Sequence, residues 1–347
     1  MPHTDRTMRA VRFAEHGGPE VLEVAQVPVP DPGPGEVLVR VHAAALNNTD
    51  VWTREGAYGL PGPRAGWRGP MDLPRIQGAD AAGEVAAVGA DVDAALVGRR
   101  VVVDPAVYDG DGPDAQPVGL MGSERDGAYA EYVLAPADHV HDQTDSPLDD
   151  AQLASLPCAY GTAWGMLERG RLTEGETVVV SGASGGVGLA AVQLASARGA
   201  RVVAISSAGK IDAVREAGAE VVVDRAGDVP EALRDAAPGG IDVGIDVVAG
   251  DLVAASLPLL RDGGRWVVAG ALAGHDIGFD ARALYLRNLQ LIGSAMHTRA
   301  HFAGLMDLAR RGGIRPVVAE TFALAEAADA QRSLETRRHV GKIVLVP

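Results

Sequence analysis

The sequence predicts a mixed α/β protein in two domains, one a doubly wound parallel sheet and the other mostly β. Three observations predict it. From Thr177 onward, short runs of Val and Ile alternate with stretches that are apolar at helical spacing. Before Asp150, glycine and proline recur (PVPDPGPGEV, GLPGPRAGWRGP) and short strands are separated by turns. At the far end a single strand, GKIVLV, closes the chain with no helix after it. A chain of 347 residues also exceeds the size at which one hydrophobic core stops growing. We expect residues 1–146 and 314–347 to form the mostly β domain, and residues 147–313 the sheet domain.

In chain order, EVLVRVHAAA and GEVAAVGADV are strands of the first domain. VVVSG, RVVAIS, EVVVD, IDVGIDVV and RWVVAG read as strands buried on both faces, because they are nearly continuous in Val and Ile rather than alternating. Between them, LAAVQLASARGA, AGKIDAVREAGA and LVAASLPLLRDGG are apolar at helical spacing and closed by glycine. Parallel neighbours need a crossover, and these helices supply it. LQLIGSA reads as the sixth strand and HFAGLMDLARRGG as the helix after it. GKIVLV, lacking a following helix, is expected to return to the β domain.

Composition narrows the function. Apolar residues make up 47% and mean hydropathy is +0.07, yet no stretch approaches the roughly 20 uninterrupted apolar residues that span a bilayer. The formal charge is −15, and Lys210 and Lys342 are the only lysines. Such a balance repels phosphate backbones, so nucleic acid is not an expected partner, and neither is a membrane. The excess acid reads as a solvated surface, with adaptation to high salt as the sharper alternative. The start, MPHTDRTMRAVRF, lacks a basic head followed by an apolar run, and Cys158 is the only cysteine. Both favour the cytoplasm.

The strongest motif is VVVSGASGGVGLAAVQLA, a buried strand running into a glycine-rich turn and then an apolar helix. Ala183, Gly185 and Gly188 take the small-residue positions of a G-x-G-x-x-G pattern, with Ser184, Gly186 and Val187 between them. Small residues let the backbone turn tightly, let a pyrophosphate approach the amides and let the helix pack on its strand. The helix N-terminus then offers unpaired N–H groups to a dianion. A site for NAD usually places Asp or Glu after the second strand, but here RVVAISSAGK offers Ser206 and Ser207, with Lys210 one turn on. Hydroxyls and an ammonium receive a 2′-phosphate that an acid would repel, so NADPH is expected in preference to NADH. The alternative is that Ser206 caps the next helix and Lys210 is solvated. Further cofactor-facing candidates are Ala269 and Gly270 at the end of RWVVAG, Ser294 in LQLIGSA, and Lys342 in GKIVLV.

With these motifs in place the chain resembles the medium-chain dehydrogenase/reductase superfamily over essentially its whole length. The matching segments are PGPGEVLVRVHAAALNNTDVW, GADAAGEVAAVG, RDGAYAEYVLAP, SLPCAYGTAW, SGASGGVG and GKIVLVP. The resemblance implies a GroES-like catalytic domain beside a Rossmann domain. Zinc alcohol dehydrogenases of that superfamily carry a cysteine in the segment that reads LNNTD here, a histidine in a Gly-His-Glu triplet, and a third ligand four residues before a threonine. Asn47, Ala79 and Cys158 stand at those places. A catalytic zinc needs three donors from Cys, His or carboxylate, so no zinc is expected, and Cys158 is expected to pack as a small buried thiol. The lobe DPAVYDGDGPDAQPVGLMGSERDG contains none of the four cysteines of a structural zinc site, and DGDGPD reads as a polar loop rather than a calcium site.

Within the superfamily the chain is most similar to the zinc-free quinone oxidoreductase group. The pattern N-x-x-D-x-x-x-R-x-G-x-Y is met by Asn47, Asp50, Arg54, Gly56 and Tyr58, and G-x-D-x-x-G by Gly78, Asp80 and Gly83. Trp52 stands where that group often has tyrosine. The resemblance implies NADPH-dependent hydride transfer to a small carbonyl, enone or quinone, with Asn47 and Tyr58 donating to the acceptor oxygen, Thr162 near the nicotinamide, and a homodimer. Asp50, Trp52, Tyr58, Asn47 and Thr162 are therefore the catalytic candidates. Structural readings stand beside them: Asp50 and Arg54 could form a helix surface pair, Asp80 could brace turns, and Trp52 could be core. His139, His141, His297 and His301 are assigned no role. An alcohol or aldehyde dehydrogenase, or a protein that binds NADPH without turnover, are the competing functions.

Overall fold

The computed structural model describes residues 6–58 and 66–347. Residues 1–5, in the start discussed above, and 59–65, in the GLPGPRAGWRGPMDLPR stretch, lie outside the described residues. The chain divides into two compact units, Met1–Cys158 with Thr298–Pro347, and Ala159–His297.

The second unit is a six-stranded parallel sheet in the order Val221–Asp224, Arg201–Ser206, Thr177–Val180, Ile241–Asp246, Leu260–Val268, Gln290–Gly293. Strand order runs outward in both directions from Thr177–Val180 and Ile241–Asp246, so the switch point at which such sheets bind ligands lies between their C-terminal ends. The Val-rich runs are buried as their continuity predicts: Val178, Val179, Val180, Val203 and Val243 have no exposed surface. Trp266 is fully buried because Gly244 on the neighbouring strand leaves room for its ring, which a Cβ would meet at 1.9 Å.

The first unit is mostly β. Its largest sheet runs Val140–Asp142, Arg100–Val103, Ala81–Val88, Glu36–Ala45, Lys342–Val346, Val318–Ala323, with Tyr132–Pro136 also pairing with Glu36–Ala45. The last strand does return to this domain, with Val344 and Leu345 opposite Ala45 and Ala44. The segment DGDGPD falls in the connection between Ala106–Tyr108 and Pro117–Leu120, which pair as a hairpin. No helix among the described residues is long and apolar enough to cross a membrane.

The domain boundaries differ from the expected 147 and 313. The helix Arg299–Arg310 groups with the first unit, where Gln143 Nε2 donates to Met306 O, Ser146 Oγ donates to Ala309 O, and Arg299 pairs with Asp138 at 2.9 Å. Residues 147–158 group there as well: Arg100 Nε donates to Asp150 Oδ1 at 2.6 Å, and the Cys158 amide donates to Asp80 Oδ1 at 2.8 Å.

Candidate active site

The glycine-rich turn follows strand Thr177–Val180 and leads into the helix Gly186–Ala197. Gly182 turns the chain at φ +57°, in the left-handed region. A Cβ on Gly188 would lie 2.2 Å from Gly182 O, so only glycine lets the helix sit this close to the turn. Ala183 is buried, while Ser184, Gly185, Gly186 and Val187 are partly exposed. Gly185 caps the helix without a side-chain bond, leaving the first amides of the helix for an anion. These residues fit a dinucleotide pyrophosphate.

Ser206 ends the second strand with its hydroxyl buried and without a hydrogen-bond partner. Ser207 begins the turn Ala208–Lys210 but makes no side-chain cap there, so neither serine is consumed as a helix cap. Arg225, which sequence reasoning missed, sits beside them: its amide donates to Ser206 O at 2.8 Å. Burial, then the nearby Arg225 charge, lowers the Lys210 pKa, so the Lys210 and Arg225 cations lie near one another. The signal was present in the sequence as an arginine directly after the strand EVVVD.

Asp246 organises the turn after the central strand. Fully buried, it accepts from Ser181 Oγ at 2.5 Å, Val248 N at 2.8 Å, Ala249 N at 3.1 Å and Trp266 Nε1 at 3.0 Å. These bonds hold Ala249 at φ +55° and Gly250 at φ +59°. Ala269 N donates to Asp246 O, a Cβ on Gly270 would meet Val247 O at 2.8 Å, and Ser294 N donates to Val268 O, so these candidates share one end of the sheet. Thr162, also in this unit, is buried and donates to Met296 Sδ at 3.9 Å.

In the first unit the helix Asn48–Glu55 starts at Asn47 and its first turn is tied into a buried polar cluster. Asp50 accepts from Asn47 N at 2.8 Å, Ala79 N at 3.2 Å and Tyr129 OH at 3.0 Å. Desolvation, then the charge of Asp80, raises its pKa to about 7. Asp80 accepts from Asn47 Nδ2 at 2.9 Å, Cys158 N at 2.8 Å and Lys342 Nζ at 3.4 Å, and burial raises its pKa too. Lys342 Nζ donates to Leu46 O, Asn47 Oδ1 and Asp80.

This cluster bears on two expectations. Asn47 directs its amide hydrogens to Ala45 O and Asp80 Oδ2 while Lys342 fixes the amide's orientation through Oδ1, so neither hydrogen is turned toward an acceptor oxygen. Lys342 is not available to a cofactor, because its three N–H donors are engaged inside the cluster. Asp50 and Arg54 do not form a surface pair either: Arg54 is fully buried and pairs with Glu335 at 2.8 Å and Glu55 at 3.3 Å. Tyr58 donates to Thr49 Oγ1 at 2.5 Å and packs edge-on to Trp52 with ring centroids 5.7 Å apart. Burial raises the Tyr58 pKa far above that of a solvated phenol. Thr49, Tyr129 and Gln77, whose Nε2 donates to Asp50 O, were not singled out from sequence.

The places of a catalytic zinc hold an amide, a methyl and the Cys158 thiol. One soft donor beside a buried ammonium does not fit a divalent cation, which needs three donors and repels the Lys342 charge. The segments of Asn47 and Cys158 are instead joined through the Asp80 carboxylate.

Comparison with known proteins agrees with this architecture. A zinc-binding dehydrogenase family model matches residues 186–311, and an alcohol dehydrogenase GroES-like domain model matches residues 33–145. The chain is 32% identical over 355 residues to an NAD-dependent alcohol dehydrogenase of Sulfurisphaera tokodaii, covering 98% of this chain and 100% of that one. It is likewise 32% identical over 351 residues to a quinone oxidoreductase of Rattus norvegicus, covering 98% of each. A crystal structure from Sinorhizobium meliloti 1021 is 45% identical with a TM-score of 0.94, covering 100% of this chain and 98% of that one.

Proposed function

The chain belongs to the medium-chain dehydrogenase/reductase superfamily, a group of oxidoreductases, and from that premise we propose that it is a zinc-independent, NADPH-dependent reductase of small carbonyl compounds, enones or quinones. The observation that carries the reading is the Asp80 cluster, in which the Lys342 ammonium lies against the residue at one of the metal positions. Without a cation to polarise it, the acceptor must be electrophilic once oriented by neutral donors.

When bound, NADPH supplies the hydride. The turn Ala183–Gly188 holds the pyrophosphate, and Ser206, Ser207, Lys210 and Arg225 receive the 2′-phosphate, a dianion that the two cations favour over a bare ribose. Thr162 and Ser294 border the nicotinamide. With Asn47 fully engaged, Tyr58 is the donor we assign to the acceptor oxygen: its hydroxyl can turn from Thr49 to the substrate. It stays protonated, because burial disfavours the phenolate, so the proton that completes the reduction comes from water. The protein acts as a homodimer in the cytoplasm, with no nucleic acid or membrane partner.

The test is oxidation of NADPH by a panel of quinones and enones, with metal content measured on the same sample. Turnover by metal-free protein is expected; no turnover with any acceptor overturns the reading. A second reading, an alcohol or aldehyde dehydrogenase, is favoured by the likeness to the Sulfurisphaera tokodaii enzyme. It requires reduction of NAD+ or NADP+ by simple alcohols. NADPH binding without hydride transfer to or from any compound would mark a non-catalytic protein.

A further inference from the structure

The helix Gly161–Arg169 ends on an arginine that the mechanism above does not use. Gly161, Gly165 and Arg169 are spaced four apart and lie along one face of that helix. Residues 294–297 pack against this face. A Cβ on Gly161 would lie 2.3 Å from His297 Nδ1, and one on Gly165 would lie 2.3 Å from Met296 O, so the two glycines permit the close approach. At the end of the stripe Arg169 Nη1 donates to Ser294 Oγ and to Met296 O, both at 3.0 Å.

Met296 has φ +50°, in a region that a residue with a side chain occupies only when its surroundings hold it there. Its carbonyl is held by Arg169 and its thioether by Thr162. Arg169 forms no ion pair with a carboxylate among the described residues, and partial burial lowers its pKa. A guanidinium kept for solubility would extend into water, and one kept for charge balance would face an acid. The bonds of this one converge on the segment that carries Ser294.

We infer that Arg169 is a positioning residue: it fixes residues 294–297 on the helix so that Ser294 and Thr162 meet the nicotinamide half of the cofactor in a preset arrangement. The inference rests on the dinucleotide-dependent function proposed above. A lysine cannot replace it, because a flexible ammonium does not offer two hydrogens in a fixed plane.

The test compares wild type with Arg169→Met and Arg169→Lys. Both are expected to raise the NADPH dissociation constant about tenfold, in line with the loss of two charge-assisted hydrogen bonds. The preference for NADPH over NADH, set at the other end of the dinucleotide, should not move. Deuterium uptake at residues 294–297 should rise in the cofactor-free variants, and guanidinium ion should restore part of the affinity to Arg169→Ala. Folded variants that bind NADPH as wild type does overturn the inference even if they melt earlier, since a purely structural arginine would give that pattern. Should the Arg169 variants fail to fold, Ser294→Ala and Gly165→Ala disturb the same contacts and should weaken binding; unchanged affinity in both overturns it. Wild-type protein that binds no dinucleotide overturns the proposed function and the inference together, whereas unmoved variants of a binding wild type overturn the inference alone.

Discussion

Asp50 is held by three donors yet titrates near neutrality, because full burial and the charge of Asp80 outweigh the help from the Asn47 amide, Tyr129 and Lys342. The folded chain therefore binds this proton more tightly than the unfolded chain, whose group titrates near 3.8. Ionising Asp50 costs stability, so its contribution falls as pH rises from 3.8 through about 7 and is level above that. Asp50→Asn removes the titrating group. Urea denaturation at several pH values should show the variant gaining on wild type across that window, with a constant difference beyond it. A difference that does not change with pH would mean Asp50 is ionised throughout. Arg225 offers a second test at this scale. Arg225→Leu removes one of the two cations proposed to receive the 2′-phosphate, so the ratio of kcat/KM for NADPH to that for NADH should fall by about tenfold or more, as expected for one charge-assisted phosphate contact. An unchanged ratio would place the 2′-phosphate elsewhere.

Among the elements, the glycine turn is the least tolerant of change. Gly188→Ala puts a methyl 2.2 Å from Gly182 O, backbone that cannot yield without moving the helix off its strand. Dinucleotide affinity, followed by NADPH fluorescence, should fall by at least about tenfold, the loss expected when one good hydrogen bond to an anion is misplaced. Gly239→Ala, just before the strand Ile241–Asp246 at the other end of the sheet, where a Cβ meets nothing within 4 Å, should leave it unchanged. Such elements were legible because their cause is local: Val runs buried on both faces and small residues at a tight turn announce themselves within a few positions. The helix Arg299–Arg310 was read correctly as a helix, but its grouping by contacts with the first unit was not legible, since amphipathic spacing reports which face is apolar but not what covers it. The surroundings of Asn47 were hidden for a related reason. Its amide hydrogens go to Ala45 O and to Asp80, 33 positions away, and its oxygen accepts from Lys342, 295 positions away, and no local pattern carries that pairing.

For the molecule as a whole, the sheet of the second unit ends at Gln290–Gly293, whose outer edge no strand among the described residues pairs. An open strand edge is usually shortened, charged or covered, because it invites another strand. This one is short but apolar: Leu291 is 37% exposed, and Tyr285 and Leu286, in the helix just before it, are 64% and 69% exposed. A second copy is the partner that suits it, since the same edge laid antiparallel across a twofold axis pairs its residues reciprocally, each i with j and j with i, and closes the assembly at two. We therefore expect a dimer by sedimentation at micromolar concentration. Leu291→Lys places a charge on the edge, and should shift the protein to monomers while leaving the parallel sheet folded, as judged by circular dichroism. A wild-type monomer, or a dimer indifferent to Leu291→Lys, would exclude this edge as the interface.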